Sequence, residues 1–229
     1  MKSLNLTLFL LLLMLPGFSK EPMYYVKGTY DRAVKKEVIA DAKMISDLVP
    51  GYAKNWITDI ISVELLVTNN GKVMKAEGKS ETLNMQQKNL LNSVDLFSHI
   101  VINVKYRDEN AATAKMDIRD MHVSLTVVPE TEAEFVGGAE KMKKYLKENA
   151  VSKIDELTAE YMLNGIITFT VNEEGAISNV KITKSTGDPK IDDMLVAAIN
   201  KMPKWKPAMN KNGVKVKQEF EFRVGNEGC

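Results

Sequence analysis

Apolar and polar side chains alternate with a period of two over Val63, Leu65 and Val67, and again over Ile167, Phe169 and Val171. That period sets each trio on one face of a β-strand. The first run ends at Asn70-Gly71 and the second at Glu173-Glu174-Gly175; glycine accepts the positive φ of a tight hairpin turn. A second strand follows each turn, over Val73 to Gly78 and Ile177 to Lys184. The spacing then changes to three and four. Ile191, Met194, Leu195, Ala198 and Ile199 make one apolar helix face within Pro189 to Met202; Leu90, Leu91, Val94 and Phe97 do so within Asn84 to Phe97. Asp188 suits the cap of the later helix, with Pro189 in its first position. Alternation returns in a closing strand, at Met121, Val123, Leu125 and Val127 and later at Val214, Val216, Phe220, Phe222 and Val224. Helical patterns precede the hairpins, around Ala33 to Leu48 and Ala139 to Asn149.

The order helix, hairpin, helix, strand therefore occurs twice, about 104 residues apart from Ile61 to Gly165. A three-stranded antiparallel sheet with two helices on its apolar face is the physical solution for each copy. The predicted class is α+β, with tandem small domains over residues 20–129 and 130–229. The polar, proline-containing stretch Pro129 to Glu134 joins them. The first copy holds an additional apolar segment, Ile100 to Tyr106, which reads as an extra strand or an extended loop.

Residues 1–19 carry a different pattern. Lys2 precedes an apolar run from Leu4 to Leu15, then come Pro16-Gly17 and small residues at Gly17 and Ser19. This predicts a secretory signal cleaved after Ser19. A run of this length spans about 18–22 Å as a helix, short for a hydrocarbon core of about 30 Å, so an uncleaved anchor is the lesser reading. No cysteine follows the run, which excludes lipoprotein processing; Cys229 is the only one in the chain, and no internal disulfide forms. Apolar residues at 45% suit a folded protein, and a formal charge of +1 provides no field to draw nucleic acid.

The later copy carries more than a layout. Glu134-Phe135-Val136-Gly137-Gly138 is followed by Tyr145-Leu146-Lys147-Glu148-Asn149, by Gly165, Phe169-Thr170-Val171 and Gly175, and by Ile191-Asp192-Asp193. Met202-Pro203-Lys204-Trp205-Lys206-Pro207-Ala208 and Asn212-Gly213 complete the set. Over about Glu134 to Val224 these pieces resemble the carboxy-terminal domain of the TonB family, in the form opening on Phe-x-Gly-Gly. The resemblance implies a domain that takes a short segment of an outer-membrane receptor alongside its final strand. TonB energy transducers also have a full membrane-spanning helix and a long proline-rich spacer. Here the apolar segment is short and lacks histidine, the chain has seven prolines, and the first copy fills the spacer's place. The implied role is the binding half of the family's work without the energising half.

Structural roles are expected for Gly137, Gly138, Pro203, Trp205 and Pro207. The glycines open the first helix of the copy, and Trp205 plugs the core while its flanking prolines hold the chain extended. No catalytic set emerges. His99 and His122 lack partners at metal-ligand spacing, Gly137-Gly138 lacks the lysine and hydroxyl of a phosphate loop, and no Gly-x-Ser-x-Gly elbow occurs. Asp192-Asp193 and Glu173-Glu174 read as solvated helix-turn and hairpin-tip carboxylates. No enzyme activity, metal or cofactor is expected.

The final strand is the candidate binding element: Val214, Lys215, Val216, Lys217, Gln218, Glu219 and Phe220. At a sheet edge its free backbone groups would accept a partner strand; its lysines suit equally a defence against edge pairing. The expectation is a periplasmic adaptor that binds an outer-membrane receptor or other envelope protein by strand addition. The alternative is a structural envelope protein that binds cell wall or forms a homodimer through sheet edges. An uncleaved signal would instead leave it anchored in the inner membrane.

Overall fold

Two sheets with separate apolar cores divide the chain, and the path between them is woven. The structure, a computed structural model, describes residues 21–49, 51–52, 57, 59–69 and 71–226. The apolar run at residues 4–15 and Cys229 lie outside the described residues.

The first sheet has five strands. β2 (Ala33–Lys35) lies parallel to β6 (Lys115–Val128); β5 (His99–Asn110), β3 (Asp59–Asn69) and β4 (Lys72–Gly78) follow as antiparallel neighbours. The period-two residues Val63, Leu65 and Val67 are buried, together with Ile100, Ile102, Val123 and Leu125 from the adjoining strands. Helix α3 (Met85–Asn92) covers them with Leu90 and Leu91. Its start is a capping box in which Gln87 N donates to Asn84 Oδ1 at 2.9 Å and Asn84 N donates to Gln87 Oε1 at 3.0 Å.

The single helix expected over 33–48 is instead β2, α1 (Lys36–Asp41) and α2 (Ile45–Leu48). Ala42 is extended at ψ 130°, and segment 43–45 pairs with 81–83 through Leu83 N to Lys43 O and Ile45 N to Glu81 O, both 2.9 Å. These ladder bonds and the apolar seats of Ile39, Ile45 and Leu48 outweigh the helical periodicity. The sheet exceeds the expected three strands by two: Ile100 to Tyr106 lies in a full central strand, β5, the extra-strand reading of that segment, and β2 adds itself beside β6.

The second sheet runs β1-β13-β8-β9: β1 (Met23–Gly28), β13 (Gln218–Gly225), β8 (Gly165–Val171) and β9 (Ile177–Lys184). All its pairings are antiparallel. Helices α4 (Gly138–Asn149) and α6 (Pro189–Asn200) supply Leu146, Leu195 and Ile199 to a core with Ile167, Phe169, Phe222 and Val224. A short helix unseen in the sequence, α5 (Glu156–Tyr161), precedes β8. Asp188 caps α6 by accepting from Lys190 N at 2.7 Å, with Pro189 in the first turn.

Here too a strand is added to the expected three. Residues 23–28 fall within the expected first domain, 20–129, yet they pair with the last strand of the second. Their alternation suits this. Tyr24 and Val26 pack on the second core, and the first sheet offers β2 its place beside β6 only over Thr126–Val128.

Candidate functional site

The candidate element begins in a turn and ends in the core. Val214 follows a turn in which Asn210 Oδ1 accepts from Asn212 N and Val214 N, both at 3.0 Å. Lys215 and Val216 form β12 (Lys215–Val216), antiparallel to β11 (Ala208–Met209). Lys217 and Glu219 are exposed and line a cleft between the two units with Thr68, Leu96, Phe97 and His99. Gln218 is 1% exposed, and Phe220 is buried, stacked on Phe169 with centroids 5.7 Å apart.

The free edge expected over 214–220 is therefore filled from two sides. Residues 215–216 are paired to their own hairpin. From Phe220 to Val224 the strand lies between β8 and β1, and β1 continues to Gly225, in the register Gly28↔Phe220, Val26↔Phe222, Tyr24↔Val224 and Met23↔Gly225. Val214, Lys215, Lys217 and Glu219 keep exposed side chains; Gln218 and Phe220 face inward.

Gln218 is occupied by a polar knot. Its Oε1 accepts from Ala133 N at 2.8 Å, and its Nε2 donates to Glu132 Oε2 at 2.9 Å. The same carboxylate accepts from the Tyr30 hydroxyl. Burial, reinforced by Glu132, pushes the Tyr30 phenol above its ordinary range. The knot ties together the segment after β1, the linker and the head of β13. Sequence reading missed it, since nothing in Glu132 or Tyr30 marks a long-range partner.

The motif residues converge. β7 (Glu134–Phe135) pairs with β10 (Trp205–Lys206), bringing the Phe-x-Gly-Gly segment against the Pro-Lys-Trp-Lys-Pro segment. Trp205 is 5% exposed, and Phe135, Phe169 and Phe220 surround it with centroids at 5.6, 5.9 and 5.0 Å. Gly137 caps α4 at φ +97°, and Gly138 follows at φ +82°. Pro203 is exposed and Pro207 half-buried on either side of the tryptophan.

Asp192 corrects one reading. It is 6% exposed rather than solvated, and accepts from Ser185 Oγ at 2.6 Å, Thr186 N at 2.9 Å and Thr186 Oγ1 at 2.7 Å. Burial pushes its carboxyl up, but these donors together outweigh it and hold the acid below its ordinary range. The group pins the β9–α6 connection. Among the described residues no cluster of three His, Cys, Asp or Glu side chains is placed to hold a metal, and no helix is long and apolar enough to cross a membrane.

Residues 164–224 match the family described as Gram-negative bacterial TonB protein C-terminal. The match spans β8, β9, α6 and β13 and bears out the resemblance there; it does not reach the first copy. No curated protein and no solved structure matches the chain.

Proposed function

We propose that this chain is an exported, TonB-type binding protein of the periplasm. Its second unit holds an extended segment of an outer-membrane receptor, or of another envelope protein, as an added strand and so serves TonB-dependent transport. One observation carries the reading. The family match ends on β13, and β13 takes an antiparallel strand along its outer edge over six residues, from a segment far away in the chain. Backbone pairing gives such an edge affinity, and alternate side-chain positions give it selectivity.

The test is capture of receptor plug peptides by the full chain. Binding is expected in the micromolar range or tighter; none at several hundred micromolar would overturn the reading. Amino-terminal sequencing of the exported protein addresses its location. Lys20 at the terminus is the periplasmic outcome, and Met1 the anchored one.

A second reading rests on β6. β2 covers it only over Thr126–Val128, so residues 115–125 have no strand neighbour on that side among the described residues. Met116 and Ile118 lie exposed on this strand. A structural role through edge-to-edge pairing of two copies would use this strand, and light scattering would detect the dimer.

A further inference from the structure

We infer that β1 is a resident, displaceable occupant of the strand seat on β13. The seat admits an extended segment of another protein once β1 leaves. This rests on the strand-addition reading above and adds to it a built-in competitor and a sequence pattern for the partner.

The attachment of β1 is uneven along its length. At its carboxyl end Gly28 leads into Tyr30, whose hydroxyl is held by Glu132 in the knot with buried Gln218. At its amino end Pro22 is buried, but the polar ties of Glu21 and Tyr24 lie at exposed positions. Tyr24 Oη donates to Lys143 O at 3.3 Å, and Lys147 pairs with Glu21 at 2.8 Å, both at exposed positions. Surface ion pairs of this kind contribute little. Met23 is exposed, and Tyr24 and Val26 are only half-buried on the core. The strand is thus tied more firmly at Tyr30 than toward Met23, so it leaves by peeling from the amino end. Beneath it Phe222 and Val224 are fully buried, and β8 still holds β13 over Gln218–Val224 when β1 is gone.

The register states what the seat accepts. Tyr24, Val26 and Gly28 face the core side, opposite Val224, Phe222 and Phe220. A Cβ on Gly28 would lie 2.2 Å from the Tyr30 ring. On the outer side Lys27 meets Glu221 at 3.3 Å. Counted from the residue that replaces Tyr24, a partner segment therefore has aromatic or branched apolar residues at the first and third positions, a base at the fourth and a small residue at the fifth. Because β1 is tethered, a foreign strand competes against an effective concentration on the order of millimolar. Apparent affinity falls by the fraction of molecules whose seat is open.

The experiment uses full chains with Cys229→Ser and a labelled synthetic peptide of residues 20–29, followed by fluorescence anisotropy. Tyr24→Ser with Val26→Ser loosens β1 without touching the acceptor. Lys27→Cys with Glu221→Cys locks it by a disulfide. The loosened chain is expected to bind the peptide at least about ten-fold tighter than the parent. The locked chain is expected to bind none until reduced, and a peptide with Gly28→Leu to bind neither. Equal binding by locked and parent chains overturns the inference, and so does a loosened chain no better than the parent. If the loosened chain does not fold, the locked pair alone decides. Receptor plug peptides that bind the locked chain overturn the seat while sparing the function. Binding of the residue 20–29 peptide without any plug peptide sinks the function and leaves the seat.

Discussion

Phe135 and Trp205 meet edge to face, with ring centroids 5.6 Å apart and planes inclined at 84°. Their strands pair as well, Trp205↔Phe135 and Lys206↔Glu134, so the contact joins the chain entering the second unit to the chain leaving α6. Trp205→Ala should cost about 3–5 kcal/mol by removing the centre of this cluster. A double-mutant cycle with Phe135→Ala should give a coupling of about 0.5–1.5 kcal/mol in urea unfolding. The indole Nε1 is buried and has no partner among the described residues. Trp205→Phe should therefore lose much less than Trp205→Ala.

Gly175 is expected to resist substitution for two reasons. It sits at φ +77°, and a Cβ there would stand 2.0 Å from the Trp205 carbonyl oxygen. Its own carbonyl accepts from Trp205 N at 2.8 Å, so the backbones cannot part without losing that bond. Gly175→Ala should lower stability by about 1–3 kcal/mol, with a lower midpoint in thermal melts.

Asp192 predicts an acid-side dependence. Its folded pKa is lowered, so its contribution is fully present above the unfolded value of about 3.9 and is lost as pH falls through the folded one. Asp192→Ala should cost roughly 1.5–3 kcal/mol at neutral pH. The gap between variant and parent should narrow below about pH 4 in denaturant melts taken at several pH values. A gap unchanged down to pH 2 would mean the carboxylate is not what holds the connection.

Gln218 and Tyr30 share Glu132, so their substitutions should not add. Gln218→Leu leaves Ala133 N–H without its acceptor and should cost about 1–3 kcal/mol. Tyr30→Phe removes the other donor to the same carboxylate. The double variant should fall short of the sum, as expected of groups in one network.

How much of this was legible in the chain differs by element. β3, β4, β8 and β9 follow directly from period-two runs broken by turn glycines, because each hairpin is settled by neighbours in sequence. The cap of α6 is legible for the same reason. The failures are non-local. Met23-Tyr24-Tyr25-Val26 is rich in strand formers, yet nothing in it says that its partner is Arg223 and Phe222 rather than the strand that follows. The helix read over 33–48 had suitable spacing, and pairing with 81–83 broke it. For the candidate site, alternation correctly put Phe220 on the apolar face. The same period of two puts Gln218, between Val216 and Phe220, on that face, but it does not name the partners that satisfy the buried amide.

The pairing of Met23–Gly28 with Phe220–Gly225 also fixes an order of events. This strand, made early in synthesis, has to wait for nearly the last described residues before it can be paired. During that interval the five-stranded sheet, all of whose segments lie between, can close without it. Joining ends so distant is entropically slow, though each doubling of the loop adds only about 0.6 kcal/mol. Every newly made molecule therefore passes through a stage in which this strand is unpaired. Chaperones and proteases would meet that strand before the sheet that holds it is complete.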